Sequence, residues 1–480
     1  MESTKRVSFL NKKTIAGVLG IVAFVVIGFV LPAPASLAEA VSGFDYSGRQ
    51  GMIAIAALLL AIIWWIGMVI PAWCTALILQ CVWVVVAGIN FSLVFSAFSK
   101  TSFWLVIGAF MLATVVTKTG LLKRISLNLM KLFSPTYKGQ SLALILIGTI
   151  CSPLMPSTTA KAILGAKIAT SSSNLLGYAD NSKGRVGLFI AAFSGFSLTG
   201  TFFISASFLS ASVLGSIPEE YARVSWIQWF IAMIPIAVCI LVGMFLAVRI
   251  LYKPTGKASF SKEDSRRMCS ELGKMSKSEK IATGILVFCL FFWILESFIG
   301  VHSAVIAVIG GVLCFCFKVL EPDDIKTGLP WDFIIFMGVV LNMGEVFTKT
   351  GLGDWLQAII YPLTGIMTNK TIFVLVVFLV AVAMRFVLNS QAATITISLC
   401  VFSPLSITLG INPFITGLVV YSAVAVWIAF YQNPTYLAGF EAMEGTIRHS
   451  STVKAGICYL VVALIGCLVS IPYWSMLGYM

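Results

Sequence analysis

The pentapeptide TKTGL stands at Thr117–Leu121 and again at Thr348–Leu352, 231 residues later in a chain of 480. A second motif repeats at nearly the same spacing. The polar stretch PSTTAK at Pro156–Lys161 has its counterpart in NSQAAT at Asn389–Thr394, and the two serines are 233 residues apart. Two motifs that each repeat at nearly the same spacing indicate that the chain is built from two related halves.

The composition places both halves in a membrane. The chain is 59% hydrophobic and 11% charged, with a mean hydropathy of +1.00, whereas a soluble domain is about 25% charged. Apolar runs of about 18 residues or more recur along its length and predict membrane-spanning helices. We therefore interpret the chain as an all-α polytopic membrane protein.

About eleven spans and two re-entrant hairpins are predicted. Spans are expected near residues 14–32, 51–69, 72–89, 103–119, 186–215, 226–249, 281–299, 302–319, 332–350, 412–440 and 455–478. The stretches 139–169 and 371–408 are each interrupted by a polar motif. The first is shorter than the roughly 40 residues that two crossings need, so it favours a hairpin, and the second is interpreted in the same way. The first 40 residues imitate a secretory signal, but an uncleaved first span is preferred because more spans follow.

The positive charge indicates an orientation. The formal charge of +13 is concentrated at Lys5–Lys13, Lys118–Lys138 and Arg249–Lys280, which is typical of loops retained in the cytoplasm and not of a nucleic-acid interface. We expect an integral protein of a bacterial inner membrane with a cytoplasmic N-terminus and an outer C-terminus. The two TKTGL copies then face opposite sides, so the repeat is inverted. An inverted repeat with interrupted helices predicts a secondary transporter with its site at the membrane midplane.

Polar residues inside the apolar stretches are the candidate site. Such groups are costly in a membrane unless they bind a ligand or one another. The hydroxyls and amide at the two hairpin tips can donate to an anionic substrate or coordinate sodium, and a helix that restarts there adds free N–H groups. Matching interruptions on the following spans, SGFSLTGTFF and FYQNPTYLAG, predict unwound elbows. The substrate-binding candidates are Ser157, Thr158, Thr159, Lys161, Ser390, Gln391, Ala392, Asn433, Pro434 and Thr435, and the sodium candidates are Ser157, Thr158, Thr199, Gly200, Gln391 and Gln432.

Two intramembrane cations extend this set. Lys161 follows the first tip and Arg385 precedes the second, and each either pairs with an anionic substrate or extends toward the membrane surface. Other chemistry has little support. The eleven cysteines form no CxxC pair and only two histidines occur, so neither a metal site nor an enzyme is expected. No cofactor is predicted beyond Na⁺ as a coupling ion.

The quoted motifs resemble the divalent anion:sodium symporter (DASS) family along essentially the whole chain. The resemblance implies a homodimer in which a transport domain moves like an elevator against a scaffold. It divides the chain into a scaffold half at 1–134, a transport half at 135–249, a second scaffold half at 250–365 and a second transport half at 366–480. The helices after each TKTGL would be the arms that join scaffold to transport domain.

Departures from the family pattern bear on the mechanism. The resemblance implies Ser-Asn-Thr at both tips, but here the residues are Ser157-Thr158-Thr159 and Ser390-Gln391-Ala392. A fixed lysine cannot leave with the substrate, and an empty carrier would return with an unpaired buried cation. We therefore expect a transporter of small organic dianions that favours exchange. Sodium-coupled symport, a sulfonate or inorganic oxyanion as substrate, and an anion channel are the alternatives.

Overall fold

The computed structural model describes residues 2–254, 273–360 and 369–480, which form helices joined by short connections and contain no strand. The first half contains α1 (Glu2–Val25), α2 (Ala35–Ser42), α3 (Gly48–Gly67), α4 (Ala72–Val85), α5 (Phe91–Val94), α6 (Thr101–Thr119), α7 (Leu121–Met130), α8 (Tyr137–Cys151), α9 (Thr158–Leu175), α10 (Lys183–Phe196), α11 (Leu209–Gly215), α12 (Glu219–Ala222) and α13 (Trp226–Leu251). The second contains α14 (Lys277–Ile299), α15 (Ser303–Cys316), α16 (Pro322–Gly328), α17 (Trp331–Val340), α18 (Met343–Lys349), α19 (Leu352–Ile360), α20 (Lys370–Met384), α21 (Gln391–Thr408), α22 (Pro413–Val424), α23 (Pro434–Glu441) and α24 (His449–Met476).

The prediction of an all-helical membrane protein is confirmed. Within the described residues, seven helical stretches are long and apolar enough to cross a membrane, and the bent pair α6–α7 makes an eighth. Several other expected spans are short helices, such as α4 and α15, or are interrupted, so the count of eleven stays a prediction. Much of the basic segment expected between 249 and 280 lies outside the described residues.

Each TKTGL motif ends one helix and begins an arm. Gly120 closes α6 with φ of 70°, and the chain then bends by 66° into α7. Gly351 has φ of 74° and precedes α19. A left-handed residue at this position redirects the chain after a helix, and glycine adopts it without a steric penalty. Both arms therefore begin as the motif predicts.

Side-chain contacts hold the two arms against neighbouring helices. The Arg124 Nε of α7 lies 2.6 Å from Oε1 of Glu279 at the start of α14, and the carboxylate is largely buried. In the second half, Trp355 of α19 donates its indole N–H to Ser36 Oγ of α2 at 3.3 Å. Both partners belong to the predicted scaffold, and the two arms also pack against the hairpin helices α8 and α21.

A second ion pair joins α6 to α16. The Lys118 Nζ lies 2.6 Å from Oδ2 of Asp324. Partial burial alone would raise the pKa of Asp324, but the hydrogen bonds from Lys118 and from the Glu321 backbone lower it overall. The pair therefore favours the ionised carboxylate and joins the two predicted scaffold halves.

Each half of the chain contains one helical hairpin and, after it, one interrupted span that forms an elbow. Helices α8 and α9 are separated by the first polar motif, and α20 and α21 by the second. The helices that follow, α10 and α22, are apolar on every side and almost wholly buried, as expected of helices at the centre of a bundle. Each stops in the middle of its predicted span. The chain then passes through 3₁₀ turns at 198–206 in the first half and a non-helical stretch at 425–433 in the second. These central helices place both elbows beside the hairpin tips.

Candidate functional site

The same serine N-cap occurs at both hairpin tips. Ser157 Oγ accepts a hydrogen bond from the backbone N–H of Ala160 at 3.3 Å, and Ser390 Oγ accepts one from Ala393 at 3.2 Å. A capping serine starts a helix by satisfying one of its free N–H groups. The other first-turn N–H groups remain available for a ligand. The second helix of each hairpin thus begins at the polar tip.

The second elbow supplies a third helix start. Asn433 Oδ1 accepts the backbone N–H of Tyr436 at 3.0 Å, and its Nδ2 donates to the Ala425 carbonyl at 2.8 Å. Both ends of the unwound stretch are therefore held by one buried side chain. Pro434 stands in the first turn of α23, where its missing N–H costs no hydrogen bond.

The three helix starts border one cavity of about 710 Å³. Six of the predicted substrate residues line it: Thr159, Ser390, Gln391, Ala392, Pro434 and Thr435. Helix N-termini carry partial positive charge and free N–H donors, which are features that favour anion binding. The charged side chains that line this cavity are Lys13 and Asp332.

The remaining predicted polar residues lie behind this lining. Thr158 is buried, and its hydroxyl is hydrogen-bonded to that of Thr435 at 3.2 Å, which joins the first tip to the second elbow. Thr199 donates to the Gly195 carbonyl, and the Gly200 carbonyl accepts from Tyr421 at 3.4 Å. These groups hold the shape of the site.

The side-chain amides of Gln391 and Gln432 also hold backbone segments of the site in place. Gln391 lines the cavity and donates its Nε2 to the Val424 carbonyl at 3.1 Å, which ties the second tip to the end of α22. Gln432 is fully buried, and its Oε1 accepts the backbone N–H of Ala429 at 2.7 Å. Its Nε2 has no hydrogen-bond partner among the described residues.

Lys161 is fully buried and does not line the cavity. Its Nζ donates to Ser152 O at 3.2 Å, to Ser152 Oγ at 2.9 Å and to Ala206 O at 2.7 Å. These acceptors match the three donors of an ammonium group. Lys161 thereby joins the first hairpin to the first elbow.

Arg385 has the corresponding place in the second half. It is fully buried and donates to the Leu388 carbonyl at 2.6 Å, to Asn389 O at 3.0 Å, to Thr394 Oγ1 at 3.2 Å and to the Gln432 carbonyl. It joins the second hairpin to the second elbow. In the described part of the chain, neither Arg385 nor Lys161 forms an ion pair. Neither Lys161 nor Arg385 is among the residues that line the cavity.

The same architecture recurs in known proteins. A family model described as the sodium:sulfate symporter transmembrane region matches residues 12–480. The chain belongs to this family. The resemblance to divalent anion:sodium symporters is thereby confirmed.

Relatives of this symporter family member are distant in sequence. Inner membrane protein YbhI of Escherichia coli is 25% identical over 85% of this chain and 86% of its own length. A chloroplast dicarboxylate transporter 2.1 of Arabidopsis thaliana is 29% identical, with 57% of this chain and 50% of the relative covered. A citrate/succinate antiporter of E. coli is 26% identical, with 58% and 59% covered. The aligned part thus spans 50% and 59% of the length of these last two relatives, whose names include a substrate.

Solved structures support the fold alone. The YdaH transporter of Alcanivorax borkumensis superposes with a TM-score of 0.55 at 15% identity, covering 81% of this chain and 88% of that one. MtrF of Neisseria gonorrhoeae gives 0.51 at 12% identity, with 78% and 82% covered. The helical transporter architecture is therefore shared well beyond recognisable sequence similarity.

In this symporter family member, the cavity also has an aromatic wall that sequence reasoning missed. Trp65, Phe208, Phe333 and Phe336 line it together with the polar residues. The Phe208 and Phe333 ring centroids are 4.1 Å apart, and Phe110 packs near both. Phe333 and Phe336 share α17, but Trp65 lies on α3 and Phe208 just before α11. Aromatic side chains are common throughout the chain, so no local pattern distinguishes these four. The one signal is that Phe208 follows directly after the first elbow.

Proposed function

We propose that the protein is a secondary active transporter of small organic dianions, of the C4-dicarboxylate or citrate type. The supporting observation is the convergence of three helix N-termini, with hydroxyl and amide groups, on one cavity. Such a receptor suits carboxylate groups. The names of the chloroplast dicarboxylate transporter and the citrate/succinate antiporter favour the same substrate class.

The proposed transport cycle is exchange of one anion for another. Lys161 and Arg385 provide positive charge beside the cavity that is bound only to neutral oxygens. These carbonyl and hydroxyl oxygens are the kind of ligand that sodium would need, and here they accept hydrogen bonds from the two cations. Moving the site while it is empty would carry uncompensated charge through the membrane, which is costly. A returning anion removes that cost.

The proposed movement is an elevator. The scaffold would comprise 1–134 and 250–365, and the transport domain 135–249 and 366–480. The attachment of both arms to scaffold helices supports this division, because a fixed arm lets the hairpin beside it move as a unit. The homodimer, the cytoplasmic N-terminus and the inner-membrane location belong to the same proposal.

Reconstituted protein in lipid vesicles tests the function. We expect uptake of labelled succinate or citrate to depend on unlabelled internal dianion and to be indifferent to a sodium gradient. Sodium-driven uptake without internal anion would instead identify the symporter that the family description names. Uptake that does not saturate would indicate a channel.

A pair of serine variants tests the site. Ser390→Trp fills the cavity beside the second tip and should abolish exchange. Ser450→Trp makes the same change at an exposed position of α24 that does not line this cavity, and it should retain exchange. Retained exchange in Ser390→Trp would refute the site assignment.

A further inference from the structure

We propose that a second cleft, between the first arm and the first hairpin, binds an anionic phospholipid. This arm cleft has a volume of about 830 Å³ and lies between α6–α7 on one side and α9 on the other. Its walls are largely aliphatic, with Val116 and Leu122 facing Ile163 and Leu164. It shares no lining residue with the cavity at the hairpin tips.

Two cations stand at the arm cleft without a partner. Lys123 of α7 and Lys167 of α9 are both exposed and line it from opposite sides. Neither side chain forms an ion pair or hydrogen bond within the described residues, and no acidic residue lines the cleft. Their neighbours differ, because Arg124 pairs with Glu279 and Lys131 donates to Asn128. The two unpaired lysines give the cleft a net positive charge.

The combination of surfaces selects the ligand class. An aliphatic wall makes no favourable contact with a small hydrophilic dianion, and a pair of lysines makes none with a neutral hydrocarbon. An anionic phospholipid matches both, with its acyl chains against the aliphatic residues and its phosphate between the ammonium groups. Basic sites between membrane helices on the cytoplasmic side bind anionic headgroups in this way. The charge pattern of the chain predicts that this face is cytoplasmic.

The position of the arm cleft gives such a lipid a role in the carrier. One wall belongs to the predicted scaffold and the other to the predicted transport domain. A lipid held by Lys123 and Lys167 would connect the two, and the rate of exchange would depend on its presence. This consequence rests on the proposed transport function, whereas the binding itself does not.

Lipid binding to the full-length protein tests the proposal. Native mass spectrometry would compare phosphatidylglycerol with phosphatidylcholine on wild type, on the K123Q/K167Q double variant, and on K131Q, which removes a lysine of the same arm region that does not line the cleft. We expect wild type and K131Q to retain phosphatidylglycerol preferentially. Its affinity should fall about fivefold for each lysine removed from the cleft, roughly twenty-five-fold together. Equal retention by the double variant and K131Q would overturn the proposal.

Two further measurements separate the alternatives. Glycerol 3-phosphate, which carries the phosphate without acyl chains, should not displace phosphatidylglycerol; displacement would show a site for small anions. In vesicles, adding phosphatidylglycerol to phosphatidylcholine should change the exchange rate of wild type and K131Q but not of K123Q/K167Q. Unchanged lipid binding with a raised KM for internal anion in K123Q/K167Q would make the cleft part of the anion route and refute the lipid site. Lipid binding measured by mass spectrometry would persist even if the protein carried no dicarboxylate.

Discussion

Replacing Lys161 with methionine should weaken dianion binding far more than monoanion binding. The change keeps the length of the side chain and removes its charge. Because Thr159 lines the cavity two residues earlier on the same helix, we take a separation of about 8 Å between the ammonium and the bound anion. At an effective dielectric constant of about 20, the attraction is then roughly 4 kcal/mol for a dianion and roughly 2 kcal/mol for a monoanion.

The assay compares succinate with its monomethyl ester. Their dissociation constants can be obtained from the ligand-induced rise in Tm of the purified protein, which requires no transport. The wild-type preference for succinate should fall about thirtyfold in K161M, the equivalent of roughly 2 kcal/mol. K161R retains the charge and should retain the preference. K167M removes an exposed lysine six residues further along α9, where solvent screens the charge, and it should leave the preference within about twofold of wild type.

The two ligands also separate charge from packing. The variant leaves the Ala206 carbonyl without its lysine donor, and an orphaned buried carbonyl costs about 1–3 kcal/mol of stability. A distorted site would weaken both ligands by the same factor. Equal weakening of succinate and its ester, or no change in either, would refute a fixed charge sensed by the substrate.

Three further predictions concern the framework and use thermal unfolding in detergent as the measurement. Gly351→Ala should destabilise the protein by more than the roughly 1–2 kcal/mol that a left-handed residue costs, because a backbone carbonyl of α2 occupies the space of the new methyl group. Gly120→Ala meets open space, so it should cost only the free energy of the left-handed backbone conformation. Equal effects would show that the contact with α2 is unimportant. Arg124→Gln leaves the Glu279 carboxylate largely buried without its cation and should cost about 1–3 kcal/mol, and the E279Q/R124Q double variant should recover part of the loss; additive losses would contradict the pairing. Asp324→Asn should lower stability at neutral pH. The difference from wild type should disappear as the pH falls below about 4, because the stabilising pair needs an ionised carboxylate and folding lowers the pKa of that carboxylate. A difference that persists in acid would show that the ion pair is not its cause.

Much of the architecture follows from local patterns. The TKTGL copies predict the glycine-terminated helices and the arms because a left-handed glycine acts within one turn. The polar motifs at Ser157 and Ser390 predict the hairpin tips because they interrupt apolar stretches, and in the structure each serine caps the helix that begins there. The elbows follow from Asn433-Pro434 in the middle of an apolar span.

The parts that local patterns could not supply depend on long-range packing. Lys161 and Arg385 were expected either to face the substrate or to extend toward the membrane surface, yet both are directed at backbone carbonyls of their own half. Those carbonyls are free to accept a hydrogen bond only where a helix is interrupted. The interruption that a given side chain reaches depends on how helices far apart in sequence cross. The aromatic wall and the arm cleft have the same origin, because each is assembled from separate helices.

The two buried cations also have an electrical consequence for the proposed carrier. Sodium ions that travel with a substrate cross the membrane on the loaded leg alone, whereas Lys161 and Arg385 are part of the chain and cross on both legs. Their contributions to charge movement therefore cancel over one cycle. Exchange of anions of equal valence would then be electroneutral, and the membrane potential would not drive it. The ratio of the two anions across the bilayer alone would set the direction of net transport.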